Sequence, residues 1–143
     1  MPRWTRLCAT ALAGGCLVLA GLCAIVWWRA VDRSRFWPDL AEFASAPESR
    51  RLLLLFALLM AVVIGLTRFA TALGWPAPLG AVLAGLIVPL AYVLGVLGLW
   101  ARSAAALAFV LRLSWADIVL FCLPFVLAGL LCAWLWDRLP AAP

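Results

Sequence analysis

Residues Leu52–Leu73 read LLLLFALLMAVVIGLTRFATAL, twenty-two positions that carry a single charge, Arg68. A hydrocarbon core about 30 Å thick takes roughly 20 helical residues to cross. Lipid also offers the backbone no hydrogen-bond partner, so the run predicts a transmembrane helix. Outward from it, apolar stretches of the same length recur at Leu7–Trp28, Leu79–Trp100 and Trp115–Trp136. Four long uninterrupted segments do not match the short alternating strands of a membrane barrel. The expected fold is an all-α integral membrane protein: a four-transmembrane-helix bundle forming one membrane domain over residues 1–143.

Composition points the same way. The chain is 69% hydrophobic and only 12% charged, where soluble domains are roughly half apolar and a quarter charged; a soluble globule is excluded. Indole rings collect at the headgroup level, and the nine Trp residues test the span count independently. Trp4 and the pair Trp27, Trp28 bracket the first span, Trp75 separates the second and third, and Trp100 ends the third. Trp115 opens the fourth span, Trp134 and Trp136 close it, and Trp37 sits in the first loop. The first run, about 22 apolar residues, exceeds the 7–15 residues of a signal-peptide core and reads as a retained span. The stretch LAGGC at Leu12–Cys16 is a poor lipoprotein box, because Ala13 stands where a larger aliphatic residue is expected.

The connections carry their own signals. In Arg29–Arg51, Phe36, Trp37, Leu40, Phe43 and Ala44 recur at helical spacing beside Asp39 and Glu42. With Pro38 in its first turn, this predicts a short interfacial amphipathic helix over residues 37–44. Ser45 followed by Glu48 is a capping-box pattern, with the second span's helix expected to begin near Ala46. Pro76 and Pro78 predict a tight turn, making the second and third spans an antiparallel hairpin. The segment Ala101–Ser114, rather apolar between Arg102 and Arg112, reads as an interfacial or re-entrant piece.

We name the side holding both termini and the Gly74 turn side one, and the side holding the two long connections side two. Side two carries Arg29, Arg33, Arg35, Arg50, Arg51, Arg102 and Arg112, against Arg3, Arg6, Arg68 and Arg138 on side one. The positive-inside rule therefore favours side two as cytoplasmic. All eleven cations are Arg, and the net charge is +5. They form no long basic run, so anionic lipid headgroups are the expected partner and nucleic acid is not.

Five positions stand out as candidate sites. Arg68 is the one charge inside an apolar span, close enough to the helix end to snorkel. Asp137 lies on the same side and is expected to tie to it. Asp117 follows Ser114 at capping spacing and sits at the favourable end of the helix dipole. Pro89 and Pro124 fall near the middle of the third and fourth spans; each is expected to be an ordinary bend of its helix, the alternative being a small midplane cavity between two facing kinks.

Small residues recur at four-residue spacing in every span: Cys16, Ala20 and Ala24; Ala57, Ala61 and Gly65; Gly80 with Ala84 and Ala81 with Gly85; Gly129 with Ala133. Such faces let membrane helices approach closely. The five Cys residues include no C-x-x-C pair and read as small buried hydrophobes. With no His or Lys anywhere, the usual general base, Schiff-base amine and haem ligand are missing, so neither an enzyme nor a cofactor protein is expected. The expected role is a non-catalytic accessory, structural or assembly subunit of a larger membrane protein complex in a bacterial inner membrane. The alternative is a small channel or transporter acting as a homo-oligomer, disfavoured because the spans hold few side chains that hydrogen-bond to a polar solute.

Overall fold

The computed structural model describes residues 2–30, 34–100, 112 and 114–139, with backbone only for 96–100. The reading of the second long connection, and the cations Arg33 and Arg102, fall outside the described residues. Five helices follow in order: α1 (Arg3–Arg29), α2 (Phe36–Ser45), α3 (Pro47–Ala72), α4 (Ala77–Trp100) and α5 (Trp115–Arg138). Four are long and apolar enough to cross a membrane, and the chain is an all-helical bundle of the multi-pass membrane type. Each span includes or closely matches a stretch read from the sequence, and α2 covers residues 37–44 with one residue more at each end.

The spans run up-down-up-down. α1 packs against α3 and α5, α4 packs against the same two helices, and α3 also meets α5 across the diagonal. Of an 18-residue apolar window in each span, only 28% is buried within the bundle for α1 and 33% for each of the others, so much of the apolar surface is left half-buried or exposed. That suits helices solvated by lipid, whose association rests on close packing and not on hiding apolar surface from water.

The close packing is visible where glycine leaves room for a neighbour's backbone. A Cβ on Gly15 would stand 2.8 Å from the Ala57 nitrogen, and one on Gly85 would stand 2.8 Å from the Val126 Cα. Between these contacts lie the fully buried side chains of Val18, Met60, Val63 and Phe125. Phe56 meets Phe125 edge to face, with ring centroids 5.9 Å apart, a favourable aromatic geometry. The two buried hydroxyls are satisfied by their own helices: Thr10 donates to the Arg6 carbonyl at 2.7 Å and Thr67 to the Val63 carbonyl at 2.7 Å.

Helix ends follow local chemistry, with one departure from the sequence reading. At the C-terminus of α3, Gly74 takes φ +87°, a left-handed conformation that favours glycine. The Trp75 N–H donates to the Ala70 carbonyl and the Gly74 N–H to the Thr71 carbonyl, both at 3.0 Å. This paired bonding is a Schellman closure, and it makes the turn that Pro76 and Pro78 announce. At the other end of α3 the expected Ser45/Glu48 box does not form. Ala46 is the N-cap and receives no side-chain cap, because Ser45 ends α2 and its hydroxyl donates back to the Glu42 carbonyl at 2.8 Å. Among the described residues no Trp is buried, in keeping with indole rings at the span ends.

Candidate functional site

Three Arg side chains near the span ends, Arg6, Arg29 and Arg68, reach α5. On side one, Arg68 of α3 donates to Asp137 Oδ1 at 3.3 Å, the tie expected from the sequence. Both groups are largely exposed, at 48% and 64% of the side chain, so the pair behaves as a surface ion pair worth at most about 1 kcal/mol. The Arg68 guanidinium also lies 5.7 Å from the Trp136 ring centroid.

The same indole meets a second cation that the sequence reading passed over. Arg6 of α1 sits 4.9 Å from the Trp136 centroid and donates to the carbonyls of Trp136 and Leu139, at 2.6 and 2.9 Å. These are carbonyls at the C-terminal end of α5, which have no intrahelical donor of their own. One terminal nitrogen of the guanidinium, with its two N–H groups, serves both carbonyls. Among the described residues the Arg6 Nε is buried without a partner, so the guanidinium is seated in the bundle and does not extend into water. Trp136 is thus flanked by two guanidinium groups from α1 and α3. Next to it, Arg138 lies 4.4 Å from the Trp134 centroid.

On side two, Asp117 is placed as the capping pattern requires. Ser114 is the N-cap: its Oγ accepts from the Asp117 N–H at 3.3 Å and donates to Asp117 Oδ2 at 2.7 Å. Arg29, in the last turn of α1, forms an ion pair with Asp117 Oδ1. In the interior, the Cys132 thiol donates to the Thr10 carbonyl at 3.4 Å. α1 and α5 are therefore joined at both membrane surfaces and between them.

Both mid-span prolines are packed against neighbouring helices. Pro89 is fully buried, and Pro124 packs against Gly21 of α1, where an added Cβ would come within 3.0 Å of the Pro124 Cβ. Close approach of Gly85 to Val126 fills the space between α4 and α5. Pro124 borders an outward groove between α1 and α5, of about 290 Å3, walled by aliphatic side chains such as Leu17, Ile25 and Leu127.

The small-residue faces divide. Ala57, Gly80, Ala81, Ala84, Gly85 and Gly129 face inward and are buried. Cys16, Ala20 and Ala24 do not form the packing face of α1; that face is Ala11, Gly14, Gly15 and Val18. They border instead an apolar groove of about 630 Å3 between α1, α2 and α3. Gly65 faces outward with nothing within 4 Å of its Cβ position. Cys122 and Cys132 are buried as expected, whereas Cys8 and Cys16 are exposed on the outer surface. Among the described residues no three His, Cys, Asp or Glu side chains come together in a metal-binding group. Comparison of the chain with protein-family models, with curated proteins and with solved structures yields no match.

Proposed function

We propose that the chain is a non-catalytic accessory, structural or assembly subunit of a larger membrane protein complex. One observation carries the reading: the charged side chains beside the spans, Arg6, Arg29, Asp117, Arg68 and Asp137, tie one helix of the bundle to another. Side chains engaged in this way hold a scaffold together, and what the scaffold offers outward is apolar helix surface. On α3 that surface runs through Leu58, Val62, Leu66 and Phe69, all exposed, around the open position at Gly65. A glycine with open space above it lets a partner helix approach backbone to backbone.

The same reading places the protein in a bacterial inner membrane, on the strength of an all-Arg, Ala- and Leu-rich composition. Side two is taken as cytoplasmic and both termini as external, by the excess of Arg in the side-two connections.

The test is extraction of the tagged chain into nanodiscs, with mass determination and a photo-crosslinking residue at Val62 or, for comparison, at Ile87 on the exposed face of α4. The expected result is a stoichiometric, different membrane protein cross-linked from Val62 and lost with Gly65→Ile, while the bundle's thermal stability is kept. A homogeneous homo-oligomer without another protein would overturn the reading in favour of a channel or transporter.

A further inference from the structure

We propose that the groove between α1, α2 and α3 on side two is a binding site for a single phospholipid, one acyl chain lying along α1 and the phosphate resting on Arg50. The groove's wall on α1 is made of Cys16, Ala20, Cys23 and Ala24, with Leu53 of α3 opposite and Trp37 and Leu40 of α2 above. Its volume of about 630 Å3 lies within the ~300–1,000 Å3 common for small-molecule sites. The small side chains on α1 keep it open; larger ones would close it.

Its length matches one leaflet. From Cys16 to Trp27 is eleven residues of helix, about 16 Å at 1.5 Å per residue, against about 15 Å for half a hydrocarbon core. Cys16 is the midpoint of α1, so the groove runs from the bilayer centre to the side-two interface. Trp27 and Trp37 stand at the interfacial end, where indole rings settle.

Charge marks the position of the headgroup. The groove continues into a compartment of about 300 Å3 bordered by Ser49 and Arg50, the latter exposed at the surface. Asp39 borders the neighbouring compartment toward Phe56, which directs a phosphate to the Arg50 side. Arg35, Arg50 and Arg51 are balanced in number by Asp39, Glu42 and Glu48. The site therefore selects a phosphate by position and not a headgroup by its net charge.

Width favours a lipid over a protein occupant. A helix with its side chains is about 10–12 Å across, whereas the interfacial end of the groove is lined by Phe36, Trp37 and Leu40 of α2 as well as by α1. A single hydrocarbon chain is narrow enough to lie between them. The lipid occupies its groove whether or not a protein covers α3.

The experiment uses the full chain in detergent with phosphatidylglycerol bearing a diazirine at the acyl-chain terminus, read by native mass spectrometry and peptide mapping. Diacylglycerol with the same chains serves as the phosphate-free comparison. The expected result is one retained phosphatidylglycerol per chain, cross-linked within residues 16–24. Retention should be lost in Ala20→Trp and reduced in Ala20→Leu. Arg50→Gln should weaken retention about fivefold, the effect of one cation near a phosphate, and should erase the preference over diacylglycerol. Arg51→Gln, outside the groove, should change nothing. Cross-links spread evenly over the four spans, retention unaltered in both Ala20 variants, or a second protein chain shielding residues 16–24 would each overturn the proposal. If Ala20→Trp fails to fold, Ala20→Leu and the wild-type cross-link map decide the matter.

Discussion

Substituting Gly15 by alanine adds one methyl group where α1 and α3 come closest. The new Cβ would meet the Ala57 nitrogen at 2.8 Å, its Cα at 3.0 Å and its Cβ at 3.3 Å. Two of these are backbone atoms of a helix interior, which cannot rotate aside as a flexible side chain would. Ordinary contact begins at 3.4 Å, so the helices must part by about 0.6 Å, a gap of the size that forfeits a quarter or more of each neighbouring van der Waals contact. Overpacking of this kind costs about 1–3 kcal/mol, a roughly 5- to 150-fold fall in the folding equilibrium. The assay is reversible unfolding from dodecyl maltoside into rising fractions of SDS, followed by tryptophan fluorescence. Helices persist in both states there, so alanine's higher helix propensity largely cancels. Gly65→Ala is the internal control: nothing lies within 4 Å of its Cβ position, and the change should stay within about 0.5 kcal/mol. Gly15→Ala unfolding at the wild-type SDS fraction would refute the reasoning, as would an equal loss from Gly65→Ala.

Two further perturbations separate a seated cation from an exposed one. Arg6→Gln removes charge-assisted bonds to two carbonyls and the contact with Trp136. It should cost about 1.5–3 kcal/mol in the same assay, and Arg6→Lys should recover part of it, because one ammonium nitrogen can donate to both carbonyls but lacks the planar face that lies against Trp136. Arg68→Gln and Asp137→Asn should each cost under about 1 kcal/mol, the double variant no more than the worse single one, with the effect fading in high salt. A large, salt-independent loss for Arg68→Gln alone would show that its guanidinium has a stronger partner than Asp137 or the Trp136 ring.

How far the sequence reveals this fold depends on what lipid demands. Span length and interfacial Trp positions are imposed by bilayer thickness, so the four spans stand in the sequence to within a few residues. Ser114 with Asp117, and Arg68 with Asp137, were legible because polar groups are so sparse that each has few possible partners. The inward face of α1 was not legible. A helix apolar all round carries no amphipathic mark, and Cys16, Ala20 and Ala24 fit close packing as well as Gly14 and Gly15 do. The inner pair wins because only glycine admits a neighbouring backbone at this distance. Arg6 escaped notice because its partners are backbone carbonyls, which have no sequence signature; an Arg in the first turn of a span, at the level where another span ends, is the signal that would have found it. Ser45 illustrates competition between adjacent helices. The hydroxyl positioned in sequence to cap α3 is held by the last turn of α2.

The Thr10–Cys132 contact joins residues 122 positions apart, and with Arg6 and Arg29 it makes α1 the neighbour of the fourth span. At about 5–20 residues per second of synthesis, roughly 6–24 s pass between the appearance of one partner and the other. Once α3 has been made, in the second half of that interval, α1 and α3 have each other, but the side of α1 that will receive α5 stays open to lipid. The carbonyls that Arg6 will hold have not yet been made. Ring closure is therefore a late event in the protein's birth, and any factor that shelters a half-built bundle would find a target on the surfaces of α1 and α4 that await α5.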